Sequence, residues 1–280
     1  MFRTSYILVF LLLSACATAP VERPDEILNS ASLKEIENRP QSLINVADKL
    51  YLEENYAASF MMYFKAWEEN KSSDSQLDIL AQMGQANSKL RLGQYQAALI
   101  NYQQLLKNGF SSPQLQLGMA EAFFGLGKIE EAQLLMTSLN DSEFNSVHFF
   151  TLKAVLKELS LEPEEARVNY EKAIALQQNS SSQQNKNNNM VNLALSYALT
   201  GDFDTSFALL NSIEVDEKQL ALVHAIKGDM AKAEEIITQY FFRKGYGRAE
   251  VEQNLAFYKK LPELSQSERV RAVVMGKITE

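Results

Sequence analysis

The chain has 280 residues, 46% hydrophobic and 22% charged, which supports a sizeable core in one or two domains. Its formal net charge of −8 argues against nucleic acid, whose phosphates call for a basic face, and against adhesion to anionic lipid through a basic patch. Eleven Gly and six Pro are few, which favours long regular elements over an all-β design with many turns.

Arg3 gives a short positive segment, residues 6–13 an apolar one, and Leu13-Ser14-Ala15-Cys16 follows at once. This order resembles a bacterial lipobox, in which small residues admit the signal peptidase and the cysteine thiol is the acylation point. The apolar run is too short to span a bilayer, which takes about 20 residues. Residues 1–15 are therefore expected to be a signal peptide and Cys16 the lipidated residue. Cys16 is the only cysteine, so the mature part has no disulfide and must be held by its core. Without residues 1–15 the balance is 26 basic against 35 acidic residues. The lipobox resemblance implies anchoring by several acyl chains. By the sorting habit of such proteins, Ala17 after the cysteine implies the outer membrane, periplasmic side. Residues 16–40, with Pro20, Pro24 and Pro40, read as a flexible tether reaching on the order of 25–30 Å.

From residue 41 one register recurs six times. It has a small residue in a first helix, a turn seven residues on, and a small residue in a second helix twelve residues on. The pairs are Ala47/Ser59, Ala86/Ala98, Ala120/Ala132, Ala154/Ala166, Ala194/Ser206 and Ala221/Ala233. Gly93, Gly127, Gly201 and Gly228 hold the turn in four of the six. Two residues beyond the turn stand Tyr56, Tyr95, Ile129, Phe203 and Met230, with Pro163 at the fourth repeat. Four residues beyond the second small residue stand Tyr63, Tyr102, Met136, Tyr170, Leu210 and Ile237. Small residues let two antiparallel helices approach, large ones fill the space between hairpins, and Gly permits the tight turn.

This pattern resembles the tetratricopeptide repeat, whose unit is 34 residues. The steps between first small residues are 39, 34, 34, 40 and 27. The predicted fold is all-α, a superhelical solenoid of about six helical hairpins over residues 41–260, with residues 261–280 as a C-terminal tail. The two long steps contain residues 70–75 and the Asn/Gln/Ser-rich run 177–189, both predicted to be loops. The last step predicts a shortened sixth unit.

The C-terminal part adds Gly228-Asp229, Ala233-Glu234 and Ile236, then Ala249, Val251 and Asn254-Leu255-Ala256-Phe257-Tyr258. Together with the lipobox and the repeats, these residues resemble the TadD family of repeat lipoproteins of tight-adherence (Flp) pilus assembly. The chain departs from that pattern in its Asn/Gln-rich run and in the spacer 241–247. The resemblance implies a scaffold that binds a secretin or another pilus-assembly component. By analogy with other repeat lipoproteins, a pilotin-like role for the secretin is implied. An alternative is a lipoprotein that scaffolds outer-membrane protein assembly or a peptidoglycan synthase.

Catalytic chemistry is not expected. His148 and His224 are the only histidines, and neither has ligand spacing to a second His or to Cys16, so no metal is predicted. The chain has no G-x-S-x-G elbow, no phosphate-binding glycine loop and no dinucleotide fingerprint, so no cofactor is predicted. Glu130-Glu131, Glu164-Glu165 and Glu234-Glu235 read as charges favoured at second-helix N-termini. Trp67 and Tyr51, Tyr56 and Tyr63 read as core at helical spacing. In a solenoid of hairpins the first helices line the concave face, where peptides are captured. Counting from the register puts Asp48, Tyr51, Asn87, Arg91, Glu121 and Phe124 on that face, with Tyr51 and Phe124 as apolar anchors and Asn87 as a backbone partner.

Overall fold

The computed structural model describes residues 40–70, 75–177 and 183–278. The expected signal peptide, Cys16 and the tether as far as residue 39 lie outside the described residues. The described chain is fourteen α-helices with no strand. Six hairpins come first: α1 Pro40–Leu52 with α2 Tyr56–Glu69, α3 Ser75–Arg91 with α4 Tyr95–Lys107, α5 Pro113–Gly125 with α6 Ile129–Thr137, α7 Val147–Leu159 with α8 Pro163–Gln177, α9 Gln183–Leu199 with α10 Phe203–Asn211, and α11 Glu217–Lys227 with α12 Met230–Arg243. Helices α13 Arg248–Lys260 and α14 Gln266–Met275 follow. The chain forms two compact units that divide after Phe144, residues 40–144 holding α1–α6 and residues 145–278 holding α7–α14.

The six-fold register is the packing rule of these hairpins. All twelve small residues of the pairs are 0% exposed. The backbones come so close that the Ser59 hydroxyl donates to the Ala47 carbonyl at 2.9 Å, across the first hairpin. The six large residues that follow the second small residue are buried as well, from Tyr63 to Ile237. Tyr63 lies flat over Gly84 of α3, where an added Cβ would fall 2.3 Å from the ring, and Tyr102 does the same over Gly118 of α5 at 2.5 Å. Glycine at those two points is what lets the second helix of one hairpin lodge its ring against the first helix of the next.

The turns explain themselves through the backbone. Gly93, Gly127, Gly201 and Gly228 have φ of 71°, 74°, 90° and 88°, and Glu54 and Leu161, at the same register position, have φ of 61° and 59°. All six turns therefore take the left-handed conformation, and two of them hold it with a side chain that opposes it. Helix starts are capped by side chains: Asn55, Ser112, Ser146, Asp202, Asp216 and Asp229 each accept from a backbone N–H of the first turn.

The structure differs from the sequence reading in several places, and Tyr51 and Tyr56, read as core, are half-buried. Most of the run 177–189 is helix, not loop. Gln177 ends α8 and α9 starts at Gln183, while residues 178–182 lie outside the described residues. Its polar side chains are put to use inside: the buried Thr151 donates to Asn189 at 2.8 Å, and Asn189 donates to Gln177 at 3.1 Å, tying α7, α8 and α9 together. Trp67 is not core; it is 43% exposed, beside Phe64 at 5.8 Å between ring centres. Glu234 and Glu235 sit past the first turn of α12, where they pair with Lys259 at 2.8 Å and Lys232 at 2.9 Å. Residues 261–280, read as a tail, contain the helix α14, which packs against α7 and α9.

Two variants check this account by thermal or urea denaturation. Ala120→Leu should overpack the α5/α6 crossing and lower stability by roughly 1–3 kcal/mol. Leu161→Gly should raise it by about 0.5–1 kcal/mol, because relief of the left-handed strain exceeds the added freedom of the unfolded chain. An unchanged transition in both would contradict the close crossing and the turn geometry.

Candidate functional site

The six residues placed on the first-helix face by the register lie on α1, α3 and α5, which are adjacent within the N-terminal unit. Their exposure falls along the series. Asp48 is exposed, Tyr51, Asn87 and Arg91 are half-buried, and Glu121 and Phe124 are buried, at 4% and 7%. Phe124 is therefore no exposed anchor, and the row offers one accessible aromatic ring, Tyr51, among polar groups.

Hydrogen bonds join three residues of this row. Arg91 donates through Nε to the Tyr51 hydroxyl at 3.1 Å and through Nη2 to Glu121 at 2.7 Å, so one guanidinium links α1, α3 and α5. The Arg91 and Glu121 side chains are only 14% and 5% exposed. Burial, the largest single influence, disfavours the Arg91 charge, but the Glu121 carboxylate together with the Tyr51 and Tyr102 hydroxyls outweighs it and holds Arg91 above its ordinary value. A desolvated pair of this kind fixes a geometry: three helices are held in one register by a planar fork. Two tyrosines from the second helices complete the surface from below. Tyr63 donates to Asp48, and Tyr102 donates to Asn87 at 2.7 Å. Burial, then Asp48, pushes the Tyr63 hydroxyl well above its usual range, and burial, then Glu121, does so for Tyr102. Both remain neutral donors.

Asp48, Asn87 and Glu121 each follow a first small residue directly, and this recurrence makes the polar row. Sequence reasoning missed the tyrosine hydroxyls, having assigned Tyr63 to the core for its ring alone. The signal was available: in both hairpins the tyrosine stands fifteen residues after its acceptor, the distance of one helix-turn-helix crossing.

The remaining groups do not converge. His224 lies near the end of α11, its Nδ1 3.2 Å from Asp229 and its ring 4.8 Å from that of Phe207, which makes it a packing and capping residue. His148 stands in the first turn of α7. Among the described residues no group of three metal-ligating side chains occurs, and no helix is long and apolar enough to cross a membrane.

Paired antiparallel helices with small-residue crossings, left-handed turns and rings lodged on the next hairpin define the tetratricopeptide-repeat fold. A solved structure agrees. The chain is similar to a tetratricopeptide repeat protein from Parabacteroides merdae, with a TM-score of 0.54 and 17% identity over 84% of this chain and 90% of that one. It also matches a thermophilic TPR protein from Thermus thermophilus, at a TM-score of 0.47 and 18% identity, over 78% of this chain and 98% of that one. No family model and no curated protein matches the sequence.

Arg91→Ala should lower stability in urea by roughly 3–5 kcal/mol, since it leaves Glu121 buried without its partner. Replacing both residues by methionine should restore most of that loss. A single variant as stable as the parent would show that the pair is not desolvated.

Proposed function

We propose that this chain is a non-enzymatic scaffold that captures a segment of another protein on the first-helix face of α1, α3 and α5. Lipid on Cys16 holds it at the periplasmic side of the outer membrane. In this reading the client is a secretin or another component of tight-adherence (Flp) pilus assembly, and the anchor carries it to the outer membrane in a pilotin-like role. The observation that carries the binding reading is the polar row itself. Asp48, Tyr51 and Asn87 are accessible, and Arg91 and the tyrosines beneath hold them in place, so a peptide backbone meets fixed donors and acceptors at little entropic cost. The lipobox-like Leu13-Ser14-Ala15-Cys16 supports the anchor. The run from Ala249 to Tyr258 supports the pilus assignment.

Tyr51→Ala combined with Asp48→Ala should reduce secretin capture in a pull-down by about tenfold or more, the scale of a modest hot spot, while the unit stays folded in circular dichroism. A buried variant such as Ile129→Ala should do the reverse and unfold the unit first. If the double variant stays folded and still captures the secretin like the parent, the row is not the binding surface.

Cys16→Ser should move the protein from the membrane fraction to the soluble periplasmic fraction and abolish labelling by palmitate. Label retained on the serine variant would rule out lipidation at this residue.

A further inference from the structure

The C-terminal unit has a first-helix face of its own, and it is built differently. Where the N-terminal hairpins carry Asp48, Asn87 and Glu121, the later ones carry Val155, Leu195 and Leu222 at the same register position, each 3% exposed or less. Helix α14 covers the part of this face made by α7 and α9. Its Val270, Ala272 and Val273 are buried, and Val273 and Val274 lie beside Val155 of α7 and Leu195 of α9. The start of this helix is firmly fixed. Ser265 and Glu268 form a reciprocal capping box, and Arg269 donates to the carbonyls of Leu261, Pro262 and Leu264, holding the bend that leads into it.

The fit under α14 is incomplete. A cavity of about 20 Å³ is lined by Val155, Glu158, Asn192, Leu195, Val273 and Val274, among others. Glu158 is 3% exposed, and its Oε1 has no hydrogen-bond partner. The nearby cation does not relieve it: Arg167 spends its donors on Ser196 Oγ at 3.3 Å, on Thr200 and on Glu164 at 3.1 Å. Burial holds the Glu158 carboxyl above its usual range, with Ser196 and Arg167 pulling the other way. A buried carboxylate oxygen without a partner, in a cavity whose α14 side is Val273 and Val274, is a poor match, since a partly satisfied polar site costs more than a fully paired one.

We propose that the α7/α9 face is a helix-binding groove in which α14 acts as a displaceable occupant. Its external ligand is an amphipathic helix of a partner protein that sets a Lys or Arg among valine-sized side chains, so that the cation reaches Glu158. The apolar part of the ligand repeats what α14 already supplies, and the cation adds the donor that α14 lacks. This site lies wholly in the C-terminal unit and is independent of the row at Asp48 to Phe124.

The test uses the full chain and a labelled synthetic peptide of residues 264–278 read by fluorescence anisotropy. Val273→Glu in the protein sets a second carboxylate against Glu158 and should expel α14. The peptide should then bind the variant at least about tenfold more tightly than the parent, whose own tethered helix competes at high effective concentration. A peptide with Val274→Lys should bind the variant more tightly still. Adding Glu158→Gln to the protein should erase that extra gain and keep the binding of the unsubstituted peptide. Equal binding to parent and variant would overturn the proposal, as would a lysine gain that survives Glu158→Gln. If Val273→Glu and a truncation after Glu263 both unfold the C-terminal unit in circular dichroism, α14 is an integral part of the fold and the proposal fails. Concentration-dependent dimers of the variant would overturn it in favour of α14 exchange between two copies.

Discussion

The structure depends on one constraint, the contact of helix backbones at paired small residues. Alanine and serine bury little area, so their worth lies in the distance they permit. With Ala47 and Ser59 both fully buried, the two helices are near enough for a side-chain hydroxyl to bond the opposite backbone. At that spacing the larger side chains meet at fixed offsets, and interior packing at crystal-like density leaves no latitude for a methylene more. Tyr63 and Tyr102 then have one place to go, over Gly84 and Gly118 of the next hairpin. Their hydroxyls in consequence arrive at Asp48 and Asn87 on the outer surface. The chemistry of the first-helix face follows from a crossing that lies beneath it.

That chain of consequence explains what could be read from sequence. The hairpins were legible because the twelve-residue interval between small residues repeats six times, and an accidental pattern of alanines would not hold a fixed interval. The first-helix row was legible in position and less so in character. Position in a register states which way a side chain leaves its helix, but not how closely the next helix covers it. Asp48 on α1 begins the series and is exposed, whereas Glu121 and Phe124 on α5 are enclosed. The left-handed turns at Glu54 and Leu161 were hidden for another reason. Glycine announces such a turn, but a glutamate or a leucine forced into it by flanking helices carries no mark of the strain.

Composition misled most at residues 177–189. Runs of Asn, Gln and Ser are read as unable to fill a core, which holds for a segment that must bury apolar area. It does not hold for a helix whose neighbours already offer polar partners. Gln177, Asn189 and Thr151 satisfy one another between α7, α8 and α9, so the helix start costs no unpaired amide at those points. The wider rule is that a buried polar side chain is legible only as half of a pair, and the pair is fixed by tertiary register.

The same reasoning bears on the change from Asp48, Asn87 and Glu121 to Val155, Leu195 and Leu222 along one register position. A surface row that turns apolar halfway along a repeat array requires something to cover it. Each valine or leucine left open would forfeit on the order of 1.5–3 kcal/mol of burial. The cover comes from outside the repeats, from the segment after Tyr258 that carries Val270, Ala272 and Val273. Docking this helix also shuts Glu158 away from water, at a cost of roughly 1–3 kcal/mol for its unpaired oxygen. The apolar gain from several side chains exceeds that single penalty, which is why a helix so imperfectly matched to its groove still stays in it. The two units thus arrive at opposite solutions from one repeat: a polar face that hydrogen bonds keep rigid and open in the first, and an apolar face closed by the chain's own end in the second.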